Sequence, residues 1–184
     1  MIVGSMFSGK TEELIRRIKR AVIAGQGVQV FKPMIDTRYG QTRIVSHAKT
    51  DLETHTGIVP EAIEEHSRVI IKDNTVLVAI DECQFFSEAW IREFVLGLIS
   101  DNIRVICAGL DMDAMGNPFG GTPTLLAMAD SVTKLKAICS ICKADAGMTY
   151  RQSSFNSDST IEIGGFGLYE PRCRICWKPP APNK

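Results

Sequence analysis

The sequence predicts an α/β protein. A parallel sheet flanked by helices carries a phosphate-binding P-loop, and a small C-terminal zinc-ribbon unit follows. Three observations carry that reading. "GSMFSGKT", residues 4–11, has the spacing of a loop that wraps phosphate. Apolar strand-like runs at 28–33, 75–82 and 103–110 alternate with helix-like segments, and that order implies parallel pairing with right-handed crossovers. Four of the six cysteines form two C-x-x-C pairs, a spacing suited to a metal ion.

The elements follow in order. Only Met1, Ile2 and Val3 precede the loop, so the first strand is expected to be clipped to "IVG" unless further residues precede Met1. Residues 11–24 read as a helix, because Leu14, Ile15, Ile18 and Val22 recur at helical spacing and Gly25 and Gly27 stop it. "VQVFKP" (28–33) reads as a buried strand and "DTRYG" (36–40) as a loop. Residues 41–57 are polar and poorly periodic, which predicts a surface excursion. A short helix is expected over 60–66, and "RVIIK" (68–72) as a strand or its tail. "TVLVAIDE" (75–82) is an apolar run ending in two carboxylates, as expected of a strand buried on both faces. Residues 87–100 read as a helix capped by Ser87, 103–110 as a strand, 122–132 as a helix and 134–138 as a strand. From Cys139 onward helical periodicity gives way to Gly, Ser and Cys. That places a boundary between a nucleotide-binding unit over 1–138 and a zinc-binding unit over 139–184.

Bulk properties exclude several classes. A chain of 184 residues can bury roughly 70% of its unfolded surface, enough for a real core. The formal net charge is zero, which argues against a protein that coats nucleic acid. The one dense basic cluster, Arg16, Arg17, Lys19 and Arg20, reads as a solvated helix face. No apolar run reaches the ~18 residues that span a membrane. Lys10, Glu12 and Glu13 interrupt any secretory signal. A cytoplasmic setting follows, and it favours metal binding over disulfides for the paired cysteines.

The chemistry of the loop is specific. Gly4 and Gly9 let the backbone of Gly4, Ser5, Met6, Phe7, Ser8 and Gly9 curl so that its N–H groups point inward at phosphate oxygens. Lys10 brings a mobile cation to the β- and γ-phosphates, and Thr11 offers its hydroxyl to Mg²⁺. Asp81 is placed to contact the metal or its waters. Glu82 is placed to orient or deprotonate an attacking oxygen. That oxygen is water in an ATPase and a substrate hydroxyl in a kinase, and these motifs leave both open. Cys139, Cys142, Cys173 and Cys176 present four thiolates to one Zn²⁺, a closed and therefore structural site. Cys83 and Cys107 read as small buried hydrophobes. Between the cysteine pairs, "IEIGGFGLY" (161–169) reads equally as a lid over a substrate or as a hairpin turn.

Taken together, "GSMFSGKTEELIRR", "DTRY", "DECQFF", "GLD", "PFG", the cysteine pairs and "IGG…Y…CRIC" resemble the type II thymidine kinases. This is the cellular and bacterial family with a zinc-bearing lasso on a P-loop, RecA-like sheet. The likeness covers nearly the whole chain. It implies transfer of the ATP γ-phosphate to the 5′-hydroxyl of thymidine or deoxyuridine, in a cytoplasmic homotetramer inhibited by the triphosphate end product. By this resemblance Glu82 is the catalytic base. Residues 4–11, with Asp81, Glu82, Cys83 and Gln84, contact ATP, and Asp36 and Arg38 lie near the nucleotide. Thr160, Ile161, Glu162, Ile163, Gly164 and Tyr169 grip the base, with Phe119 close to that pocket. The chain departs from the family pattern at Ala114, where an aromatic residue is usual, and at His47–Lys49, "HAK" for "HDG". A second reading is a P-loop ATPase or switch whose zinc module binds nucleic acid or protein. The neutral charge and the lack of interleaved basic and aromatic residues count against it.

Overall fold

Strand alternation organises the core. A computed structural model describes residues 1–35, 44, 51–152 and 168–179. In it β1 (Ile2–Gly4), β2 (Gly27–Pro33), β3 (Glu61–Ile63), β4 (Thr75–Ile80), β5 (Arg104–Gly109) and β6 (Thr133–Leu135) form a six-stranded sheet. Its order is β3-β2-β4-β5-β1-β6, and every pairing is parallel. Helices α1 (Lys10–Ile23), α2 (Leu52–Thr56), α3 (Glu88–Ser100) and α4 (Thr122–Met128) cover it.

Side chains on a strand point to opposite faces in turn. Val30, Leu77, Ala79, Ile106 and Ala108 therefore share one face with Leu14, Ile15 and Ile18 of α1 and Leu52 of α2. Phe31, Val78, Ile80 and Cys107 share the other with Ile91, Val95 and Leu98 of α3 and Leu125 of α4. Each fully buried aliphatic side chain of this kind contributes about 2 kcal/mol. Both faces are covered, which is why the central strands read as unbroken apolar runs. The three-residue first strand is held because it is interior. β1 pairs with β5 on one side and β6 on the other, and all three of its residues are buried.

Five expectations change besides that for residues 68–72. Residues 41–57 are not simply a surface excursion: Ile44 and Leu52 are buried in the α1-side core, and α2 is capped by Asp51, which accepts from Thr54 N at 3.1 Å. The helix expected over 60–66 is strand β3, because the open edge of β2 offers backbone partners to Phe31, Lys32 and Pro33 that outweigh the weak helical preference of three residues. α4 stops at Met128, since Ala129 turns extended to bring Thr133 N to Met1 O at 2.9 Å. The strand expected over 134–138 splits at Lys136: β6 stays in the large sheet, and β7 (Ala137–Ile138) pairs antiparallel with β8 (Asp145–Ala146). Ser87 has N-cap backbone geometry, but its hydroxyl goes to Glu65 Oε2 at 2.8 Å rather than to the helix.

"RVIIK" forms no strand, and one side chain accounts for that. Gln29 on β2 is buried, and its Oε1 accepts from Lys72 N at 2.8 Å and Thr75 Oγ1 at 2.7 Å. Its Nε2 donates to Ile70 O at 3.1 Å and Glu61 Oε1 at 3.4 Å. The 68–75 segment is thus tied to a side-chain amide instead of a ladder. No helix among the described residues is long and apolar enough to cross a membrane.

Gln29→Leu strands several buried polar groups at once. It is expected to lower unfolding free energy by about 2 kcal/mol and to speed amide exchange at Lys72. Unchanged exchange there would show that Gln29 does not hold the segment.

Candidate functional site

The phosphate loop leaves β1 at Gly4. Here φ is 151°, and a Cβ would lie 2.4 Å from Leu135 O and 2.7 Å from Ser8 Oγ, so only glycine fits the turn. The loop closes on Gly9, whose left-handed backbone caps α1 without a side-chain bond. The first-turn N–H groups of α1 therefore face the loop's hollow, the arrangement that binds anions. Lys10 Nζ reaches back across the loop to Ser5 O at 2.9 Å. Ser8 Oγ is buried and has no hydrogen-bond partner among the described residues. An unpartnered buried hydroxyl within such a loop is a donor that a phosphate oxygen would satisfy.

The acids stand at the carboxyl end of β4, two strands from β1 with β5 between. That is about 10 Å at ordinary strand spacing. Asp81 is buried, and its Oδ2 lies 3.4 Å from Thr11 Oγ1 across the gap. A hydroxyl and a carboxylate facing each other beside a phosphate loop fit a Mg²⁺ ion. Asp81 Oδ1 accepts from Glu82 N at 3.0 Å. Glu82 itself is left-handed, φ 51° and ψ 39°, a conformation costing a non-glycine residue of order 1 kcal/mol or more. Its carboxylate is held by Gln84, whose Nε2 donates to Oε2 at 2.6 Å while its Oε1 accepts from Leu110 N at 3.0 Å. Gln84 is thus a strut from the end of β5 to Glu82. Cys83 points into the core, and burial pushes its thiol well above the usual range. Burial likewise raises Cys107 to about 12. Both are inert, as expected of small buried hydrophobes. The Phe119 ring meets Phe85 edge-on at 5.8 Å, beside the Glu82 turn.

The four cysteines of the pairs come together. Their Sγ atoms all lie within 4.8 Å of one another, and Cys142 and Cys173 approach to 3.6 Å. Tetrahedral Zn–S bonds of about 2.3 Å set sulfurs about 3.8 Å apart, so the cluster matches zinc. Knuckle amides favour thiolate: the N–H of Cys142 holds the Cys139 thiol down to about 6, and that of Cys176 lowers Cys173. Side-chain hydrogen bonds to the Cys142 and Cys173 sulfurs hold the Cys176 thiol protonated and push it up to about 12. Between the pairs, β9 (Met148–Arg151) and β10 (Tyr169–Arg172) form an antiparallel hairpin closed by Gln152 N to Leu168 O at 3.0 Å. Tyr169 is buried at the end of this hairpin farthest from the cysteines, opposite Arg151. Asp36, Arg38 and Thr160, Ile161, Glu162, Ile163 and Gly164 lie outside the described residues.

The sequence reading missed how the loop and the cysteine unit join. Ser5 Oγ donates to Ala146 O at 3.2 Å, and Met6 N donates to Thr149 Oγ1 at 3.0 Å. Phe7, at φ 65°, packs on the cluster that contains Cys139 and Cys173. Trp177 Nε1 donates to Thr149 O at 3.0 Å. None of Ala146, Thr149 or Trp177 lies in a motif, and no local spacing marks them.

The family profile described as "Thymidine kinase" matches residues 1–177. The chain belongs to the thymidine kinase family. A protein of Rhodothermus sp. (strain ITI 518) named "Thymidine kinase" is 44% identical over 183 residues, covering 100% of this chain and 82% of that relative. Membership makes the chain a nucleoside kinase, a phosphotransferase, and gives its paired carboxylates and phosphate loop their setting.

Metal analysis of the purified protein is expected to find about one zinc per chain. Cys139→Ser is expected to lose that zinc and to lower the melting temperature. A metal-free protein of full stability would refute a structural zinc.

Proposed function

We propose that this kinase transfers the γ-phosphoryl group of ATP to the 5′-hydroxyl of thymidine, with deoxyuridine as a second acceptor. The observation that carries the reading is Glu82. It is a carboxylate held in a strained backbone conformation, steadied by Gln84, and set two strands from a phosphate loop. Strain maintained beside a ligand site is what a positioned base requires.

Phosphoryl transfer needs positioning and charge neutralisation more than covalent chemistry. Bound ATP supplies the phosphoryl group, and Mg²⁺ neutralises its charge. Lys10, Ser8 and the amides of residues 4–11 hold the phosphates. Thr11 and Asp81 hold the metal. Glu82 accepts the proton of the acceptor's 5′-hydroxyl. Asp36 and Arg38 are assigned to the nucleotide side, and Cys83 and Gln84 back the Glu82 turn. Residues 160–164 and Tyr169, with Phe119, are assigned to the base, largely through main-chain groups. Such groups discriminate because a wrong base edge leaves them buried and unpaired. A closed lasso also excludes water as a competing acceptor. Zinc in the four-cysteine cluster anchors that lasso. The units 1–138 and 139–184, the homotetramer, the cytoplasmic setting and inhibition by the triphosphate end product belong to the same proposal.

Supporting it over an ATPase with a nucleic-acid module is the neutral charge of the chain. A panel of nucleosides scored for phosphorylation tests it directly. ADP release is expected to depend on thymidine, and Glu82→Gln to reduce kcat by roughly a hundredfold or more. Hydrolysis of ATP at the same rate without thymidine would overturn the kinase reading.

A further inference from the structure

We propose that Trp177 is a positioning residue that couples the phosphate loop to the 111–119 loop on the acceptor side of the site. The inference rests on the kinase reading above and adds a residue to it.

Trp177 directly follows the second cysteine knuckle, and its N donates to Cys173 O at 2.9 Å. The indole is therefore carried on the metal-binding turn. Its Nε1 goes to Thr149 O. That carbonyl is open to it because of the ladder's alternation. The bond from Gln152 N to Leu168 O makes Thr149 and Pro171 a non-hydrogen-bonded pair, so both carbonyls point out of the hairpin, and Pro171's accepts from Ser140 N at 2.9 Å. The hydroxyl of the same Thr149 receives Met6 N from the phosphate loop. One buried threonine thus joins the indole to the loop that cradles phosphate.

The six-membered edge of the indole meets a second partner. A Cβ on Gly116 would lie 2.8 Å from Trp177 Cη2, and Gly116 has φ 84°. Gly116 sits in a loop that is rigid by itself. Asp113 Oδ1 accepts from Met115 N at 2.9 Å and Asn117 N at 2.8 Å, Gly116 N donates to Asp113 O at 3.1 Å, and Met112 bridges Pro118. At its root Asp111 pairs with Lys134 Nζ at 2.6 Å. The loop is anchored at its two ends by the Asp111–Lys134 pair and the Phe119–Phe85 contact, and its tip rests where it touches its neighbours. There Trp177 makes the tightest approach, with Met148 Cε beside it, 3.6 Å from the same Cβ position. The loop leaves the carboxyl end of β5, the strand between the phosphate loop and Glu82, where open parallel sheets bind their ligands. Its height therefore sets the room for the acceptor, and a displacement of about 1 Å is enough to matter kinetically.

Kinetics of Trp177→Ala, Trp177→Phe and Gly116→Ala, with zinc content and melting temperature measured alongside, test the assignment. Trp177→Ala is expected to raise KM for thymidine on the order of tenfold while retaining zinc. Trp177→Phe keeps a ring against Gly116 and is expected to recover most of that loss. Gly116→Ala approaches the same contact from the loop and is expected to raise thymidine KM as well; it decides alone if Trp177→Ala does not fold. In a Trp90→Phe background Trp177 is the sole tryptophan, and thymidine is expected to shift its emission. A lower melting temperature with unmoved thymidine KM in these variants would reduce Trp177 to a packing residue. A wild-type chain that phosphorylates no nucleoside would instead refute the kinase reading, so the two failures are distinguishable.

Discussion

Two hydrogen bonds between the phosphate loop and the cysteine-rich unit hold the two halves of the site together. Ser5 reaches Ala146, and Met6 reaches Thr149. Phe7 adds an apolar contact by packing on the cluster around Cys139 and Cys173. Each bond is worth only about 1 kcal/mol in net stability, but breaking one leaves a buried polar group unpaired, which costs more. The loop that receives phosphate is thereby indexed to the unit that carries the hairpin of β9 and β10. A cysteine cluster remote from the phosphate loop in sequence supports that loop in space.

The sheet supplies the other fixed dimension. β5 lies between β1 and β4, so the phosphate loop and the Asp81–Glu82 pair emerge from the same edge with one strand's width between them. Thr11 and Asp81 span that gap from opposite sides. Gln84 then uses the residue just past β5, through Leu110 N, to steady Glu82. The acid that would take a proton is braced from the carboxyl end of the strand that separates it from the phosphate loop. Its αL backbone is affordable because Asp81, Gln84 and the turn at Cys83–Phe85 over-determine it.

Much of this was legible locally. α1, β2, β4, α3 and β5 have strong periodicity or unbroken apolar runs, and each falls within a few residues of its expected place. The elements that were misread are short. Glu61–Ile63 became a strand because β2 needed a neighbour, and Leu52 became core because α2 found α1. Residues 68–72 lost their strand to a single glutamine far away in sequence. In each case a long-range partner overrode a weak local preference.

The same division holds for the site. Residue chemistry and spacing in the chain alone determined the phosphate loop, the acid pair and the four thiols, because each is a short segment whose function needs neighbours in sequence. Tertiary structure decided which of them meet. Only folding brings Cys139 and Cys142 within reach of Cys173 and Cys176, sets Thr11 against Asp81, and turns Gln84 onto Glu82. Only folding places Thr149 between Met6 and Trp177. No periodicity or motif encodes such contacts, since they arise from where a parallel sheet and an antiparallel hairpin happen to dock, not from anything local to a threonine or a tryptophan.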